Sequence, residues 1–155
     1  MHRRPRLSGR GVTAAVLAGC LGLPACSSAP SVTAAPHASD GACATAVGKL
    51  PASVLGKTRG TSSATGTAVY GDPAIVVRCG VDPLGPTQLQ CLAVNDVDWV
   101  IDDRGDPLVF TTFGRSPALE VRIPASYPKG ADSGALVDLQ AVAAALPTTS
   151  LHCIG

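Results

Sequence analysis

The sequence has 155 residues, a formal net charge of +1, and 46% hydrophobic, 15% charged and 3% aromatic residues. This length predicts one domain, and no apolar run approaches the ~20 residues that a membrane-spanning helix needs. The near-neutral charge argues against a general nucleic-acid binder, which carries a surplus of basic residues. We therefore expect one small domain that has no nucleic-acid partner.

The first 25 residues have the pattern of an export signal. Four arginines (Arg3, Arg4, Arg6 and Arg10) are the only charged residues before residue 40, and an uncharged apolar stretch, 12–23, follows them. A cationic region, a short apolar region and then small residues are typical of a secretory signal peptide. Without this segment, eight Lys and Arg stand against eleven Asp and Glu, so the mature chain is mildly acidic with a net charge of −3.

Two cysteines at the end of this segment resemble the lipid-modified cysteine of a bacterial lipoprotein. In both Leu17–Cys20 and Leu23–Cys26 a small residue precedes the cysteine, whose thiol would receive a diacylglyceryl group. Cleavage before Cys26 leaves four other cysteines, an even number for disulfides, whereas cleavage before Cys20 leaves Cys26 as an odd thiol. We favour Cys26 as the lipid anchor and keep two alternatives, which are lipidation at Cys20 and cleavage without lipid to give a secreted protein.

Residues 26–39 predict a flexible tether, because they are small, polar and interrupted by prolines, without hydrophobic periodicity. The rest of the chain, 40–155, predicts a single domain. The expected location is the cell membrane, with the protein anchored by lipid on the extracytoplasmic face.

The predicted elements of the domain begin and end with a helix. The first helix is predicted over 40–50, capped by Asp40 and ended by Pro51. Loops are predicted over 57–66 and 82–88, and strands over 67–70, 74–81, 94–102 (or from Cys91), around Leu108–Thr112, and over 119–123. The last helix is predicted over 135–146, with Asp132 or Ser133 as its cap and Pro147 after its end; its apolar stripe is Leu136, Leu139, Val142, Ala143 and Leu146.

Residues 103–106 (DRGD) predict a hairpin turn between two apolar runs. A turn centred on Arg104 and Gly105 pairs Trp99 with Phe110 on the inward face, together with Ile101–Leu108 and Val97–Thr112. The pattern as a whole predicts an α+β domain, with an antiparallel sheet of about five strands flanked by a short N-terminal and a longer C-terminal helix.

The four cysteines of the domain (Cys43, Cys79, Cys91 and Cys153) predict two disulfides rather than a zinc site, because their spacing does not match a zinc module and export favours oxidation. Four cysteines permit three pairings. Cys79 and Cys91 lie symmetrically about Gly85, so two strands joined by that loop would bring them together. This favours Cys79–Cys91 and Cys43–Cys153.

Several blocks of the domain resemble a known family. The block Tyr70–Val81 (YGDPAIVVRCGV) resembles the signature of domain of unknown function 3515, and Val97–Trp99, Phe110–Pro117 and Val121–Pro124 resemble its later blocks. The resemblance covers roughly 43–153, with Tyr70 where Trp is expected in many relatives. It implies a small exported protein, often lipid-anchored, from actinobacteria, and it implies no activity.

Three groups of polar side chains are candidates for chemistry. Five aspartates (Asp96, Asp98, Asp102, Asp103 and Asp106) have the oxygens that Ca²⁺ prefers. Strand alternation and the hairpin turn explain these aspartates instead as a solvated face. The tripeptide Arg104–Asp106 is likewise explained as part of that turn. Arg78, Arg115 and Arg122 have guanidinium groups, which are suited to binding an anion, but ion pairing with the aspartates is the simpler interpretation.

His152 with Ser116 or an aspartate is the remaining candidate, for a small envelope hydrolase. We favour instead a non-catalytic binding module, tethered to the membrane by its lipid, for an unknown envelope component or membrane-protein partner. No cofactor and no metal is expected, and an enzymatic activity is the less favoured interpretation.

Overall fold

Within residues 31–154, a six-stranded antiparallel sheet and three short helices form the domain, and a small two-stranded ribbon accompanies them. The computed structural model describes residues 31–154, so the predicted signal peptide, Cys20 and Cys26 lie outside the described residues. The helices are α1 (Gly41–Val47), α2 (Ala131–Asp138) and α3 (Gln140–Ala144). The strands are β1 (Ser53–Val54), β2 (Lys57–Thr58), β3 (Thr67–Tyr70), β4 (Ile75–Val81), β5 (Gln90–Val94), β6 (Val97–Asp102), β7 (Leu108–Phe113) and β8 (Ala118–Ile123).

The main sheet has the strand order β3-β4-β8-β7-β6-β5, and every neighbouring pair is antiparallel. Side chains alternate between the two faces of such a sheet. The inner face packs with the helices into one core, in which Tyr70, Trp99 and Phe110 have no exposed surface. The α+β class is therefore confirmed, and the main sheet has six strands where about five were predicted.

The additional strand comes from the stretch 94–102, which was predicted as one strand. The structure has two strands there, β5 and β6, joined by a turn at Asn95 and Asp96, with Val94 opposite Val97. Asn95 has a φ of 53°, a left-handed conformation that asparagine tolerates better than most residues. Asp96 therefore belongs to a turn and not to the outer face of a continuous strand.

The predicted β6–β7 hairpin is present, but its predicted register is wrong by two residues. Trp99 lies opposite Thr112, and Ile101 lies opposite Phe110. The loop is longer than predicted because the Asp102 carboxylate accepts hydrogen bonds from the backbone N–H of Arg104 and from its guanidinium. A shift of two residues keeps every side chain on its predicted face, because the strand period is two.

The predicted C-terminal helix is divided into α2 and α3 at Leu139, whose φ of −94° and ψ of 4° leave the helical range. Helix α2 begins at Ala131 after Gly130, so neither Asp132 nor Ser133 is the cap that was predicted. The predicted apolar stripe is nevertheless buried along its whole length, from Leu136 to Leu146. The break therefore interrupts the helix while its apolar side chains stay in the core.

Residues 31–39, here named the N-terminal strap, lie against the sheet, so the domain begins before the predicted boundary at Asp40. The Thr33 carbonyl accepts a hydrogen bond from Arg78 Nε (3.1 Å), and the His37 N–H donates to the Gly80 carbonyl (2.8 Å). Ala35 and Ala38 are 6% and 5% exposed. These contacts fix the second part of the predicted 26–39 tether.

The disulfides are Cys43–Cys79 and Cys91–Cys153, so the predicted pairing is wrong. The prediction assumed that β4 and β5 are neighbours, whereas four strand spacings of ~4.8 Å, about 19 Å, separate them in the sheet. Cys79 lies on the inner face of β4, where α1 brings Cys43 to it, and both residues have no exposed surface. Cys91 lies opposite Val100 on the outer face and meets Cys153 there.

Candidate functional site

The outer face of β5, β6 and β7 carries a cleft of about 360 Å³. The segment 82–89, which links β4 to the far edge of the sheet, forms one wall, and the C-terminal segment forms the other. We name it the C-terminal cleft; its lining residues are Pro86, Thr87, Leu89, Cys91, Phe113, Leu151, His152, Cys153 and Ile154.

The C-terminal segment, 147–154, is held on the sheet by hydrogen bonds and by a disulfide. The Thr149 N–H donates to the Gly114 carbonyl, and the Cys153 N–H donates to Asp98 Oδ2, both at 2.8 Å. Arg115 Nη1 donates to the Leu146 carbonyl at 2.8 Å, and the Cys91–Cys153 disulfide closes the end. The wall of the cleft is therefore fixed at both ends.

Gly114 is required for this arrangement. Its φ is +72°, a conformation that favours glycine, and a Cβ atom at this position would collide with the Leu151 carbonyl oxygen. The close approach of the two backbones thus depends on the absence of a side chain. The block Phe110–Pro117, which contains Gly114, is therefore also the block that receives the C-terminal segment.

The rim of the cleft exposes apolar side chains. Ile154 is 92% exposed and Leu151 is 37% exposed, and Val137 on α2 is the other large exposed apolar residue in the described part of the chain. The Cys91–Cys153 disulfide in the cleft is partly exposed, whereas Cys43–Cys79 has no exposed surface. The cleft thus combines an apolar rim with a disulfide between two partly exposed residues.

The residues of the hydrolase hypothesis are not joined by hydrogen bonds within 31–154. His152 Nδ1 lies 3.2 Å from the Ser150 carbonyl oxygen, two residues away. Ser116 donates its backbone N–H to the Pro147 carbonyl at the base of the C-terminal segment. His152 therefore lies within the segment and Ser116 lies at its base, and both residues contact backbone carbonyls of the segment.

The five candidate aspartates have separate surroundings. Asp98 accepts the hydrogen bond from Cys153, Asp106 Oδ1 accepts one from the Ala125 N–H, and Asp96 lies in the β5–β6 turn. The hydrogen bonds from Arg104 lower the pKa of Asp102 to about 2. Over the described residues, 31–154, no group of three metal-ligating side chains is found.

The three candidate arginines lie in two separate places and do not form one anion site. Arg78 and Arg122 both donate to Glu120 on the outer face, at 3.0 Å and 2.7 Å, so they pair with a glutamate and not with the aspartates. Arg115 donates to backbone carbonyls, including that of Asp96 at 3.3 Å. The predicted ion pairing thus occurs with a different acidic partner, and Arg115 is separate from the other two arginines.

The cleft was not predicted from the sequence. In the sequence, Leu151 and Ile154 are ordinary apolar residues after the last helix, and nothing indicates that they are exposed. The wrong disulfide pairing also placed Cys153 away from Cys91. The one signal was Gly114 in the block FTTFGRSP, because a glycine between a strand and a turn can mark a close backbone approach.

Fold and site together define a small two-layer α+β domain held by two disulfides. The model of the family described as "Protein of unknown function (DUF3515)" matches residues 12–151, and the chain belongs to this family. Neither a curated protein nor a solved structure matches the chain. None of the helices in the described residues is long and apolar enough to cross a membrane.

Proposed function

We propose that this protein is exported, anchored by lipid at Cys26 to the extracytoplasmic face of the cell membrane, and active there as a non-catalytic binding module. The observation that carries the proposal is the pair of disulfides, which engage all four cysteines of the domain. Disulfides persist in oxidising compartments and are rare in the cytosol. The cationic and apolar leader that ends at Cys26 supports the same location.

The position of the strap supports an anchor that holds the domain close to the bilayer. Thr33, which is bound to Arg78, lies seven positions after Cys26, and seven extended residue steps span at most ~25 Å. A lipid at Cys26 would therefore restrict the domain to a thin layer above the membrane. A partner in that layer would meet it at a high effective concentration.

The C-terminal cleft is the binding surface that we propose. Its rim exposes Leu151 and Ile154, and its walls are fixed by the disulfide and by the hydrogen bonds of Gly114 and Asp98. A preformed apolar concavity with few polar groups is the usual form of a binding site. The proposed partners are an envelope component or a membrane protein.

The anchor is tested by a matched pair of variants, Cys26→Ala and Cys20→Ala, expressed from the full-length chain. We expect the wild type and Cys20→Ala to be extracted from membranes with the intact mass of a lipidated chain that begins at residue 26. We expect Cys26→Ala to lack the lipid and to leave the membrane fraction. An unmodified wild-type N-terminus in the culture fluid would contradict the anchor.

The binding surface is tested by quantitative crosslinking in intact cells. We expect Leu151→Ser to reduce the yield of a specific crosslinked partner, and Val137→Ser, an exposed apolar residue outside the cleft lining, to leave it unchanged. His152→Ala examines the hydrolase alternative with the same cells. A cellular phenotype that is lost in His152→Ala, with fold and crosslinking retained, would argue for catalysis and against a simple binding module.

A further inference from the structure

The two disulfides differ sharply in their surroundings. Cys43 and Cys79 have no exposed surface and lie in the core between α1 and β4. Cys91 and Cys153 are partly exposed and both line the C-terminal cleft. A thiolate must reach a sulfur atom before exchange can occur, so accessibility separates structural disulfides from exchangeable ones.

The geometry points to Cys91–Cys153 as a thiol–disulfide exchange site, served by a dithiol protein of the thioredoxin class that docks in the C-terminal cleft. The cleft fits such a partner because the exposed apolar side chains of Leu151 and Ile154 stand beside the reacting sulfur atoms. This inference stands independently of the lipid anchor.

The sulfur of Cys153 is the atom that the partner attacks. Cys91 lies within β5, where it pairs with Val100, so its backbone is held in the sheet. Cys153 lies near the end of the C-terminal segment, beside Ile154, which is 92% exposed. A partner that docks against Ile154 therefore meets Cys153 first.

The exchange balances in two steps. The partner's first thiolate bonds to Cys153 Sγ, the Cys91–Cys153 bond breaks, and Cys91 Sγ leaves as a thiolate that takes up a proton. The partner's second thiolate then attacks the partner's first sulfur in the mixed disulfide. This step releases Cys153 Sγ as a thiolate, which takes up the second proton. The protein disulfide gains two electrons, and the partner's dithiol becomes a disulfide.

Reduction would remove the covalent closure of the C-terminal segment. Only hydrogen bonds would then hold the segment, and near its end the bond from the Cys153 N–H to Asp98 would remain. Phe113 and Val100, which are 8% and 2% exposed beneath this part of the molecule, would then gain access to solvent when the segment opens. The state of one disulfide thus controls the shape of the cleft.

The test uses the native oxidised protein with reduced thioredoxin, and separately with dithiothreitol, followed by alkylation at timed intervals. Trypsin leaves Cys79 and Cys91 on one peptide, 79–104, and cleavage before Asp82 separates them for mass mapping. We expect Cys91 and Cys153 to be alkylated at least about tenfold faster than Cys43 and Cys79. In concentrated urea the two disulfides should react at similar rates.

The docking part is tested by the ratio of the thioredoxin rate to the dithiothreitol rate at Cys91–Cys153. We expect the double variant Leu151→Ser/Ile154→Ser to lower this ratio by about fivefold or more, and Val137→Ser to leave it unchanged. Equal native rates for the two disulfides would overturn the exchange site. An unchanged ratio in the double variant would overturn docking in the cleft.

Discussion

The close approach at Gly114 gives the sharpest prediction, because the chain contains a matched control for it. Gly114 and Gly130 both have a positive φ, +72° and +85°. A Cβ atom at Gly130 would meet nothing within 4 Å, whereas one at Gly114 would collide with the Leu151 carbonyl. Gly114→Ala and Gly130→Ala therefore share the backbone strain and differ only in the collision.

The two magnitudes follow from these contacts. The left-handed conformation costs an alanine about 1–2 kcal/mol, which is the whole expected loss for Gly130→Ala. In Gly114→Ala the C-terminal segment must also move, which breaks the 2.8 Å bond from Thr149 and strains the bond between Cys153 and Asp98. These bonds add about 2 kcal/mol, so Gly114→Ala should destabilise the protein by about 3–4 kcal/mol.

Urea unfolding of the oxidised protein measures both values, with the fluorescence of the single tryptophan as the signal. Trp99 has no exposed surface in the core and should report global unfolding. Equal losses of free energy in Gly114→Ala and Gly130→Ala would refute the reasoning, since the collision would then carry no cost. A faster reduction of Cys91–Cys153 in Gly114→Ala alone is expected, because the displaced segment carries Cys153.

Three further predictions concern the core and the charged groups. Leu139→Ala, at the fully buried break between α2 and α3, should cost about 2–5 kcal/mol in urea unfolding, and a loss below about 1 kcal/mol would contradict its place in the core. Glu120→Ala should cost about 1–3 kcal/mol, because the substitution leaves Arg78 and Arg122 without their acidic partner. An unchanged free energy of unfolding would contradict this prediction, since water would then replace the carboxylate fully. In a carbon-detected NMR titration Asp102 should titrate near pH 2, and near pH 4 in Arg104→Ala. Because the pKa of Asp102 is lowered in the folded state, the stability from the Asp102–Arg104 pair is present above about pH 4 and is lost as the pH falls towards 2. An unchanged titration midpoint of Asp102 in Arg104→Ala would contradict Arg104 as the cause.

The inward faces of the strands were predictable because alternation is a local property. Trp99 and Phe110 are buried as expected, even though the hairpin register differs by two residues. The register itself depends on a side chain, Asp102, that folds back on Arg104 and lengthens the loop. Alternation does not reveal such a contact, so the faces were right and the pairing was wrong.

The disulfide pairing failed for a topological reason. Symmetry about Gly85 would indicate a pair only if the chain turned back on itself there, and segment 82–89 instead carries it across to the far edge of the sheet. A crossing connection and a hairpin loop can have the same length and composition. The C-terminal cleft depends on this crossing, so it too was hidden from the sequence.

The two ends of the domain cross the same end of the sheet. The N-terminal strap binds the carbonyl of Gly80 in β4, and the C-terminal segment binds the carbonyl of Gly114, which directly follows β7. Only β8 separates β4 from β7 in the sheet. The two crossing points are thus about 10 Å apart laterally. Beyond these points the ends diverge, because Thr33 is bound at β4 and Cys153 at β5, about 19 Å away across the sheet. A circular permutant therefore needs a linker of about eight residues to join the ends, and new termini can be opened in the exposed loop around Gly105.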